Sequence, residues 1–443
     1  MRVCIVGTGY VGLVSGACFA ELGHQVTCVD VDKRRVEALQ RRKSPIFEAG
    51  LDELLERHVG NALSATTDLR SAVRDSEITF IAVGTPFDGR SIDTRYVRQA
   101  ANEIGAALAE IDEYHVVVVK STVVPGTTDD VVRPILDAAS GKRCGTDFGL
   151  CMNPEFLSEG SAVHDFLSPD RLVFGGIDER SRDVLERLYT SFPTTVPRLR
   201  TNTQTAEMIK YASNALLAAL ISFSNEIANL GAKIGGIDAT EVMRGVHLSQ
   251  YFRELTEDRL PAITAFLKAG CGFGGSCLPK DVKALIAHGR EAGASMQLLE
   301  AVIRVNEQQP IKTIELLRRH APKLEGLRVT VLGLSFKPGT DDVRESPAFP
   351  IMRELLAHGV KLKAFDPIAN DEAQKAFDDR RVTYCGDLQS AIADIDAVIV
   401  VTPWKEFQAT PALLRDRQPP VIFVDGRRAF DQNCLPRYVG IGL

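Results

Sequence analysis

The sequence has no excess of positive charge, no long apolar run and no closely spaced set of cysteines. Its 443 residues include 52 Lys and Arg against 58 Asp and Glu, which gives a formal net charge of −6. Proteins that bind nucleic acid usually carry a basic face, so we predict no nucleic-acid partner. Anionic small ligands remain compatible with this balance, because a phosphate site needs only a few local donors.

Features of membrane and secreted proteins are also missing. We find no apolar run that approaches the roughly 20 residues needed to cross a bilayer, and the mean hydropathy is −0.02. Met1 is followed almost at once by the apolar segment Val3 to Val6, unlike the layout of a signal peptide. We therefore expect a cytoplasmic protein with no membrane partner.

Nine cysteines are present, an odd number without the dense spacing of a secreted disulfide scaffold. Cys4, Cys28 and Cys151 lie in apolar segments and are predicted to be small core residues. Cys271 and Cys277 would supply only two sulfur ligands, with no nearby histidine, so we predict no metal site.

Both ends of the chain alternate short β-branched segments with helical ones, which is typical of parallel sheets covered on both faces. Between them, Thr203–Ile234 is Ala-rich with few breakers and is predicted to be one long helix. We predict an α/β fold with two Rossmann-like domains, each with a parallel-type sheet, joined by a helical central region containing this helix. The predicted domains are residues 1–200, 201–310 and 311–443.

The first predicted strand leads into Gly7-Thr8-Gly9-Tyr10-Val11-Gly12, a G-x-G-x-x-G pattern. In dinucleotide-binding folds these glycines permit a tight turn, admit the pyrophosphate and pack the helix on the strand. Asp30 ends the second predicted strand, where a carboxylate accepts hydrogen bonds from the adenosine ribose and repels a 2′-phosphate. The pattern favours NAD over NADP, although Arg35 could reach a phosphate. Asp32 lies beyond the strand and is interpreted as a helix cap.

The segment from Gly272 to Asp281 has the sequence Gly-Phe-Gly-Gly-Ser-Cys-Leu-Pro-Lys-Asp, in which the thiol of Cys277 is followed closely by Lys280. A nearby cation favours the nucleophilic thiolate; the alternative is a tight turn with a buried cysteine. Beside a nicotinamide, a thiolate can add to an aldehyde as a thiohemiacetal, which loses a second hydride to give a thioester that water hydrolyses. The segment thus suits a four-electron oxidation of an alcohol to a carboxylate.

Further motifs occur along nearly the whole chain in the order of a known family. They are Gly7 to Gly12, Lys120-Ser121-Thr122, Asn153-Pro154-Glu155-Phe156-Leu157, Ala206-Glu207 through Lys210 to Asn214, the Cys277 segment, Gly333 to Pro338, Arg344-Glu345-Ser346 and Asp425-Gly426-Arg427. The chain resembles the UDP-glucose/GDP-mannose dehydrogenase family, and within it the UDP-glucose 6-dehydrogenase group. The resemblance implies NAD-dependent oxidation of UDP-glucose to UDP-glucuronate.

The resemblance also implies catalytic roles. Cys277 matches the nucleophile, while Lys210 and Asn214 match the pair that holds the substrate and stabilises the oxyanion. Four residues apart, these two share a helical face and can reach one ligand atom. The alternatives are a solvated surface lysine and an ordinary polar helix residue.

Three oxygen-bearing residues match the remaining catalytic positions. Asp281 matches the carboxylate that positions the catalytic water and Lys210, and Thr122 matches a second water ligand. Glu155 matches the glutamate assigned acid–base work in thioester hydrolysis; a plain loop carboxylate is the alternative.

Other residues match binding positions of the family. The predicted cofactor residues are Gly7, Gly9, Tyr10, Val11, Gly12, Asp30, Arg35, Thr85, Thr122, Glu159 and Arg344. The predicted substrate residues are Glu155, Phe156, Leu157, Lys210, Asn214, Phe273, Gly274, Lys337 and Arg427. A cation at Lys337 or Arg427 would suit a pyrophosphate or uronate charge, and surface cations are the alternative.

The chain departs from the family pattern between Gly245 and Phe273. Relatives usually have arginine-isoleucine-glycine at a fixed distance before the glycine-rich loop, whereas here Pro261 stands in the arginine position and Arg259 lies two positions earlier. The preceding stretch Tyr251–Asp258 is also unusual. Because this segment helps relatives to bind the sugar nucleotide, GDP-mannose, a UDP-N-acetylhexosamine and a dTDP-sugar stay open as alternative substrates.

Two further alternatives are a protein of another class, without catalysis, and a dehydrogenase with a simpler reaction. A non-catalytic NAD-binding sensor or scaffold would not need the set of catalytic residues, and a two-electron alcohol dehydrogenase would leave Cys277 without a role.

The apolar residues Leu216 to Phe223 offer more surface than one small domain should cover. We therefore predict a homodimer, or a higher even homo-oligomer, built on the long helix.

Overall fold

The structure, a computed structural model, describes residues 1–249, 252 and 261–443. Two compact units divide the chain, Met1–Ser213 and Asn214–Leu443, and the division falls within a helix. Of the unusual stretch noted above, only Phe252 is described, and Arg259 lies outside the described residues.

The first unit alternates strands and helices from its first residues. Its strands are β1 (Arg2–Val6), β2 (Gln25–Val29), β3 (Leu63–Thr66), β4 (Ile78–Ile81), β5 (His115–Val119), β6 (Phe148–Met152), β7 (Leu172–Gly176) and β8 (Arg198–Thr201). Its helices are α1 (Tyr10–Glu21), α2 (Lys33–Gln40), α3 (Leu51–His58), α4 (Leu69–Arg74), α5 (Arg95–Leu108), α6 (Arg133–Ser140), α7 (Ala162–Leu167) and α8 (Glu179–Arg187). Helix α9 (Thr203–Ile234) begins in this unit and continues into the second.

The strands of the first unit form one sheet in the order β3-β2-β1-β4-β5-β6-β7-β8. The pairing of β6 with β7 is antiparallel and the other pairings are parallel, so the sheet is mixed rather than wholly parallel. Every residue of β5, His-Val-Val-Val-Val, is buried, as expected for a strand covered on both faces. The order reverses between β1 and β4, and ligands bind beyond the strand ends at such switch points.

The second unit repeats this plan with a smaller sheet. Its strands are β9 (Arg328–Leu332), β10 (Lys361–Phe365), β11 (Val382–Tyr384), β12 (Ala397–Val400), β13 (Ile422–Asp425) and β14 (Tyr438–Gly440). Its further helices are α10 (Ala239–His247), α11 (Leu278–Glu291), α12 (Gln297–His320), α13 (Ala348–Ala357), α14 (Asn370–Ala376), α15 (Leu388–Ile392) and α16 (Thr410–Leu414). The strand order β11-β10-β9-β12-β13-β14 is parallel throughout and reverses between β9 and β12.

The predicted fold class is confirmed: two Rossmann-like sheets and a long helix whose bounds match the prediction. By length and composition α9 could also cross a membrane, a test that the core helix of a soluble protein passes equally. The sequence prediction, which considered only continuous apolar runs, did not anticipate that α9 passes this test. Ala-rich composition and apolar residues on several faces raise its hydropathy, although Lys210 and Asn214 in the same helix are buried in polar contacts.

Candidate active site

The turn between β1 and α1 has the geometry that a dinucleotide phosphate needs. Gly7 has φ of +104°, and a Cβ placed there would lie 2.6 Å from the Ala82 carbonyl oxygen, so this position requires glycine. Beside it, Gly9 faces open space, and α1 begins at Tyr10. The first N–H groups of a helix lack intrahelical acceptors. The open Gly9 position in front of these donors therefore fits a pyrophosphate.

Asp30 lies directly after β2, and its carboxylate is held by hydrogen bonds from Thr8 and Asp32. One carboxylate oxygen accepts from the Thr8 N–H at 2.8 Å and the Thr8 hydroxyl at 2.6 Å, and the other accepts from the Asp32 N–H at 2.9 Å. The side chain keeps 11% of its surface exposed, and Arg35 Nη1 lies 3.9 Å away. Asp32 caps α2 by accepting from the Arg34 N–H, which confirms its interpretation as a helix cap. Asp30 is thus fixed, with an edge open to a ribose.

Two further predicted cofactor residues lie together in the first unit. The Thr85 hydroxyl donates to the Thr122 carbonyl at 2.8 Å, which joins the segments after β4 and β5. Strand β4 borders the switch point and β5 is its neighbour, and cofactor contacts are expected at the carboxyl ends of such strands. Arg344 belongs to the second unit, where its guanidinium pairs with Asp342 at 2.7 Å.

A buried ion pair lies in the first unit. Lys210 Nζ is 2.8 Å from Glu155 Oε1, and the two side chains are only 4% and 5% exposed. Burial acts to raise the pKa of Glu155, but the Lys210 ammonium, the Leu157 N–H and the charge of Lys120 together hold the pKa below its usual range. The Leu157 N–H donates to the second Glu155 oxygen at 2.6 Å, and Lys210 lies 5.8 Å from the centre of the Phe156 ring. Lys210 is therefore a buried lysine rather than a solvated surface residue, and Glu155 is a buried carboxylate paired with it.

A second buried lysine was missed by sequence reasoning. Lys120, directly after β5, donates to Asn153 Oδ1 at 2.8 Å, and the Tyr189 hydroxyl donates to the same atom at 2.6 Å. Burial, opposed by the charge of Glu155 and assisted by the charge of Lys210, lowers the pKa of Lys120 to about 8. Lys120 and Asn153 had been noted only as parts of motifs. An uninterrupted apolar strand that ends in lysine was the available signal.

In the second unit, Asn214 and Asp281 form another buried polar group. Asn214 Nδ2 donates to Asp281 Oδ2 at 2.6 Å, and Lys280 Nζ donates to Asp281 Oδ1 at 2.6 Å. Asp281 is 1% exposed. The position of Lys280 next to Asp281 was visible in the sequence, but its pairing depends on the turn of α11, which sequence alone does not fix.

Cys277 precedes this group at the N-cap of α11 and is partly exposed. Its Sγ lies 3.5 Å from the Ser276 hydroxyl. Gly275 has φ of +86°, and a Cβ there would lie 2.7 Å from the Phe336 ring, so the loop requires glycine for this close approach. The Gly275 N–H donates to the Arg344 carbonyl at 2.9 Å. The thiol therefore lies on a loop that is fixed by its contacts with Phe336 and Arg344. It is also at a helix N-terminus, whose dipole stabilises negative charge.

The remaining cysteines named from the sequence behave as core residues. Cys4, Cys28, Cys151 and Cys271 are buried, and burial raises the pKa of each thiol, that of Cys28 to about 12. The core prediction for the first three is confirmed. A buried thiol of high pKa is inert as a nucleophile, in contrast to a partly exposed one at a helix end.

The predicted substrate residues of the second unit surround the same loop. The Phe273 N–H donates to Asn306 Oδ1 at 2.7 Å, and Asn306 Nδ2 donates back to the Phe273 carbonyl at 3.0 Å. Gly274 lies against the backbone of Glu345. Asn306 was not anticipated, because it is one polar residue within the long helix α12.

Arg427 follows β13 and donates to the Val401 carbonyl at 2.9 Å, and the neighbouring Gly426 carbonyl accepts from the Cys271 N–H at 2.9 Å. Lys337 is partly exposed on the loop after β9, with its Nζ 5.6 Å from the Phe336 ring. The Cys277 loop is thus attached to the carboxyl ends of the second sheet. Pro261, in the arginine position of relatives, precedes a 3₁₀ turn over Ala262–Phe266.

Comparison with known proteins agrees with this geometry. Three descriptions from the UDP-glucose/GDP-mannose dehydrogenase family match the chain: the NAD binding domain over residues 1–193, the central domain over 204–308 and the UDP binding domain over 330–432. The chain is 43% identical to the UDP-glucose 6-dehydrogenase AglM of Haloferax volcanii, with 97% of each chain covered. It is 39% identical to a GDP-mannose 6-dehydrogenase of Pseudomonas aeruginosa, covering 90% of this chain and 89% of that one.

A solved structure is also similar. A UDP-glucose dehydrogenase from the hyperthermophilic archaeon Pyrobaculum islandicum superimposes with a TM-score of 0.89 at 38% identity, covering 99% of this chain and 97% of that chain. The resemblance inferred from the motifs is confirmed, and so is NAD as the cofactor.

Proposed function

This chain belongs to the UDP-glucose/GDP-mannose dehydrogenase family, and we propose that it oxidises the C6 alcohol of UDP-glucose to the carboxylate of UDP-glucuronate. It is an NAD-dependent oxidoreductase. UDP is favoured over GDP as the nucleotide because a UDP binding domain matches residues 330–432 and the 43% identical relative bears the name of a UDP-glucose 6-dehydrogenase.

One observation carries the proposal. Helix α9 bears two buried polar residues four positions apart, and a carboxylate holds each: Glu155 holds Lys210 at 2.8 Å, and Asp281 holds Asn214 at 2.6 Å. Burying such groups costs free energy, and a non-catalytic scaffold would gain nothing from that cost. An ammonium and an amide N–H are suitable donors to an oxyanion. We propose that both act on one substrate.

The proposed reaction has two oxidations and one hydrolysis. NAD, when bound, accepts one hydride, so the two oxidations use two NAD molecules in succession. The first oxidation converts the alcohol to an aldehyde and releases a proton. The Cys277 thiolate then forms a C–S bond to the aldehyde carbon, and the carbonyl oxygen takes up a proton, which gives a thiohemiacetal. Loss of a second hydride and a proton from this adduct leaves a thioester on Cys277.

Hydrolysis completes the cycle. Water forms a C–O bond to the thioester carbon, the C–S bond breaks, and the Cys277 sulfur leaves as thiolate while the carboxylate is released. Glu155, kept ionised by Lys210, is proposed to take one proton of this water, and the other is released to solvent as the carboxylate forms. Asp281 and Thr122 are proposed to hold the water, and Lys210 and Asn214 to donate to the tetrahedral oxyanion.

Binding roles follow the same scheme. Gly7 to Gly12, Asp30 and Thr85 are proposed to bind NAD, with further contacts from Arg35, Glu159 and Arg344. The proposed contacts to the sugar nucleotide are Phe156, Leu157, Phe273, Gly274, Lys337 and Arg427. A planar Arg guanidinium suits a pyrophosphate.

The test is a panel of purified sugar nucleotides assayed for NADH formation and product identity. UDP-glucose should give the highest kcat/KM, and UDP-glucuronate should be its product. A higher kcat/KM with GDP-mannose, a UDP-N-acetylhexosamine or dTDP-glucose would overturn the substrate assignment, and no NADH with any of them would overturn the activity.

We also propose a cytoplasmic homodimer, or a higher even oligomer, assembled on α9. Leu216, Phe223 and Leu230 are 52%, 49% and 55% exposed and recur every seven residues, the spacing of a helix-pairing seam. Light scattering at micromolar concentration should give a dimeric or larger mass, which Phe223→Glu should lower. A monomeric wild type would reject this assembly.

A further inference from the structure

Glu48 lies in the connection between α2 and α3 and has no part in the roles assigned above. It is a buried carboxylate. Its Oε2 accepts from the Gly160 N–H at 2.7 Å and from the Tyr10 hydroxyl, and its Oε1 accepts from the Ala162 N–H at 2.7 Å. The Gly160 N–H also lies 3.0 Å from the Tyr10 oxygen. Glu48 is therefore satisfied by donors from two different segments of the first unit.

This way of holding a buried charge is costly. Among the described residues, the partners of Glu48 are two backbone N–H groups and a phenol, with no ion pair to a lysine, arginine or histidine. Its charge is thus compensated by hydrogen bonds alone, and removing the carboxylate would leave donors unsatisfied. Burial, and then the hydrogen bond to Glu48, raise the pKa of Tyr10 above its usual value, so the phenol stays protonated as a donor.

The two segments that Glu48 joins are both tied to the cofactor assignment. Tyr10 is the first residue of α1, inside the Gly7 to Gly12 turn. Gly160 comes directly after Glu159 on the segment that follows β6, and Ala162 is the first residue of α7. In sequence these segments lie about 150 residues apart; Glu48 bonds to both, and the Gly160 N–H also donates to the Tyr10 hydroxyl.

We propose that Glu48 is a positioning residue for the cofactor, fixing Tyr10 and the segment Glu159–Ala162 in one arrangement for NAD binding. The proposal rests on the cofactor residues assigned under the proposed function. It differs from a plain helix cap, because a cap would bond to Ala162 without engaging the cofactor turn. It predicts that loss of the carboxylate affects NAD more than the sugar nucleotide.

The experiment compares Glu48→Gln, Glu48→Ala, Tyr10→Phe and the double variant Glu48→Ala/Tyr10→Phe with wild type. Glu53→Gln, on the exposed face of α3, is the matched control. NAD affinity is measured by titration without sugar nucleotide, and KM is measured for both substrates. The titration does not depend on which sugar is oxidised, so failure of the substrate assignment stays distinguishable from failure of this proposal.

Glu48→Ala should weaken NAD binding about tenfold, the scale of lost hydrogen bonds to a charged group, while KM for the sugar nucleotide changes less than about twofold. Glu48→Gln keeps one acceptor oxygen and should show a smaller loss. Tyr10→Phe should weaken NAD binding in wild type but add little in the Glu48→Ala background. Unchanged NAD affinity in Glu48→Ala, equal changes in both KM values, or additive effects of the two substitutions would each overturn the proposal.

Discussion

Strands β1 and β9 occupy the same place in the two sheets, and the turn after each begins with a glycine of positive φ, Gly7 at +104° and Gly333 at +88°. After Gly7 the chain passes Gly9 and enters α1 at once. After Gly333 it passes Leu334 and Ser335, and the next helix, α13, begins only at Ala348. The first turn therefore presents helix N–H groups to a phosphate, and the second does not.

The acidic residue after the second strand of each sheet shows the same contrast. Asp30 keeps an exposed edge. Asp366, directly after β10, is buried and accepts from the N–H groups of Leu334, Ser335, Ile368 and Ala369, the Ser335 hydroxyl and the Trp404 indole. Its acceptor sites are filled by protein donors. Strand order alone therefore does not make a dinucleotide site; the glycine turn that leads into a helix and an exposed carboxylate edge are also needed.

The largest expected effect separates chemistry on the second unit from cofactor binding on the first. In Cys277→Ser the hydroxyl is a far weaker nucleophile at neutral pH, so turnover should fall at least about a thousandfold, or about 4 kcal/mol. NAD affinity, measured by titration, should stay within twofold of wild type. Free aldehyde or a stalled serine adduct should be detectable, the adduct by intact-protein mass spectrometry.

Cys434→Ser, at another partly exposed cysteine of the second unit, is the control and should keep wild-type turnover. Wild-type turnover in Cys277→Ser would remove this thiol from the mechanism.

The next effect tests the structural role of Asp366. Asp366→Ala removes the acceptor of a buried network and should lower the free energy of unfolding by about 3 kcal/mol. Asp371→Ala, on the exposed side of α14, should change it by less than about 0.5 kcal/mol. Denaturant unfolding measures both. An unchanged free energy of unfolding in Asp366→Ala would show that the buried network around this carboxylate does not stabilise the fold.

Acid should affect the first unit through His115. Burial lowers the pKa of His115 to about 4, whereas an unfolded histidine titrates near 6.5. Between these values the histidine is protonated in the unfolded state but not in the folded state. The free energy of unfolding therefore falls as the pH drops from about 6.5 to about 4. By pH 5 this loss should reach about 2 kcal/mol.

His115→Gln should reduce that pH dependence, while His164→Gln, at an exposed histidine, should keep it. Denaturant unfolding at pH 7 and pH 5 measures the difference. Equal slopes in His115→Gln and wild type would contradict the assignment.

The smallest effect concerns cofactor choice. Asp30→Ala removes the carboxylate that repels a 2′-phosphate, so the ratio of kcat/KM for NAD to that for NADP should fall about tenfold, or about 1.4 kcal/mol. Asp32→Ala loses a helix cap and an ion pair with Arg34, neither of which faces the ribose, and should keep the ratio. An unchanged ratio in Asp30→Ala would show that Asp30 does not contact the ribose.

The sequence predicted the elements that depend on local pattern: the Gly7 to Gly12 turn, the buried strands and the bounds of α9. The antiparallel pairing of β6 with β7 was missed because hydrophobic pattern does not encode strand direction. Glu48, Lys120 and Asn306 were missed for a related reason. Each is an isolated polar residue whose partners lie far away in sequence, so only the fold brings the contacts together.

The most direct test of the central claim is the ratio of NADH formed to UDP-glucose consumed, with the product identified. Because one thiol should carry the aldehyde through to the acid, two NADH and one UDP-glucuronate are expected for each UDP-glucose. One NADH and a free aldehyde for each UDP-glucose would contradict the four-electron mechanism.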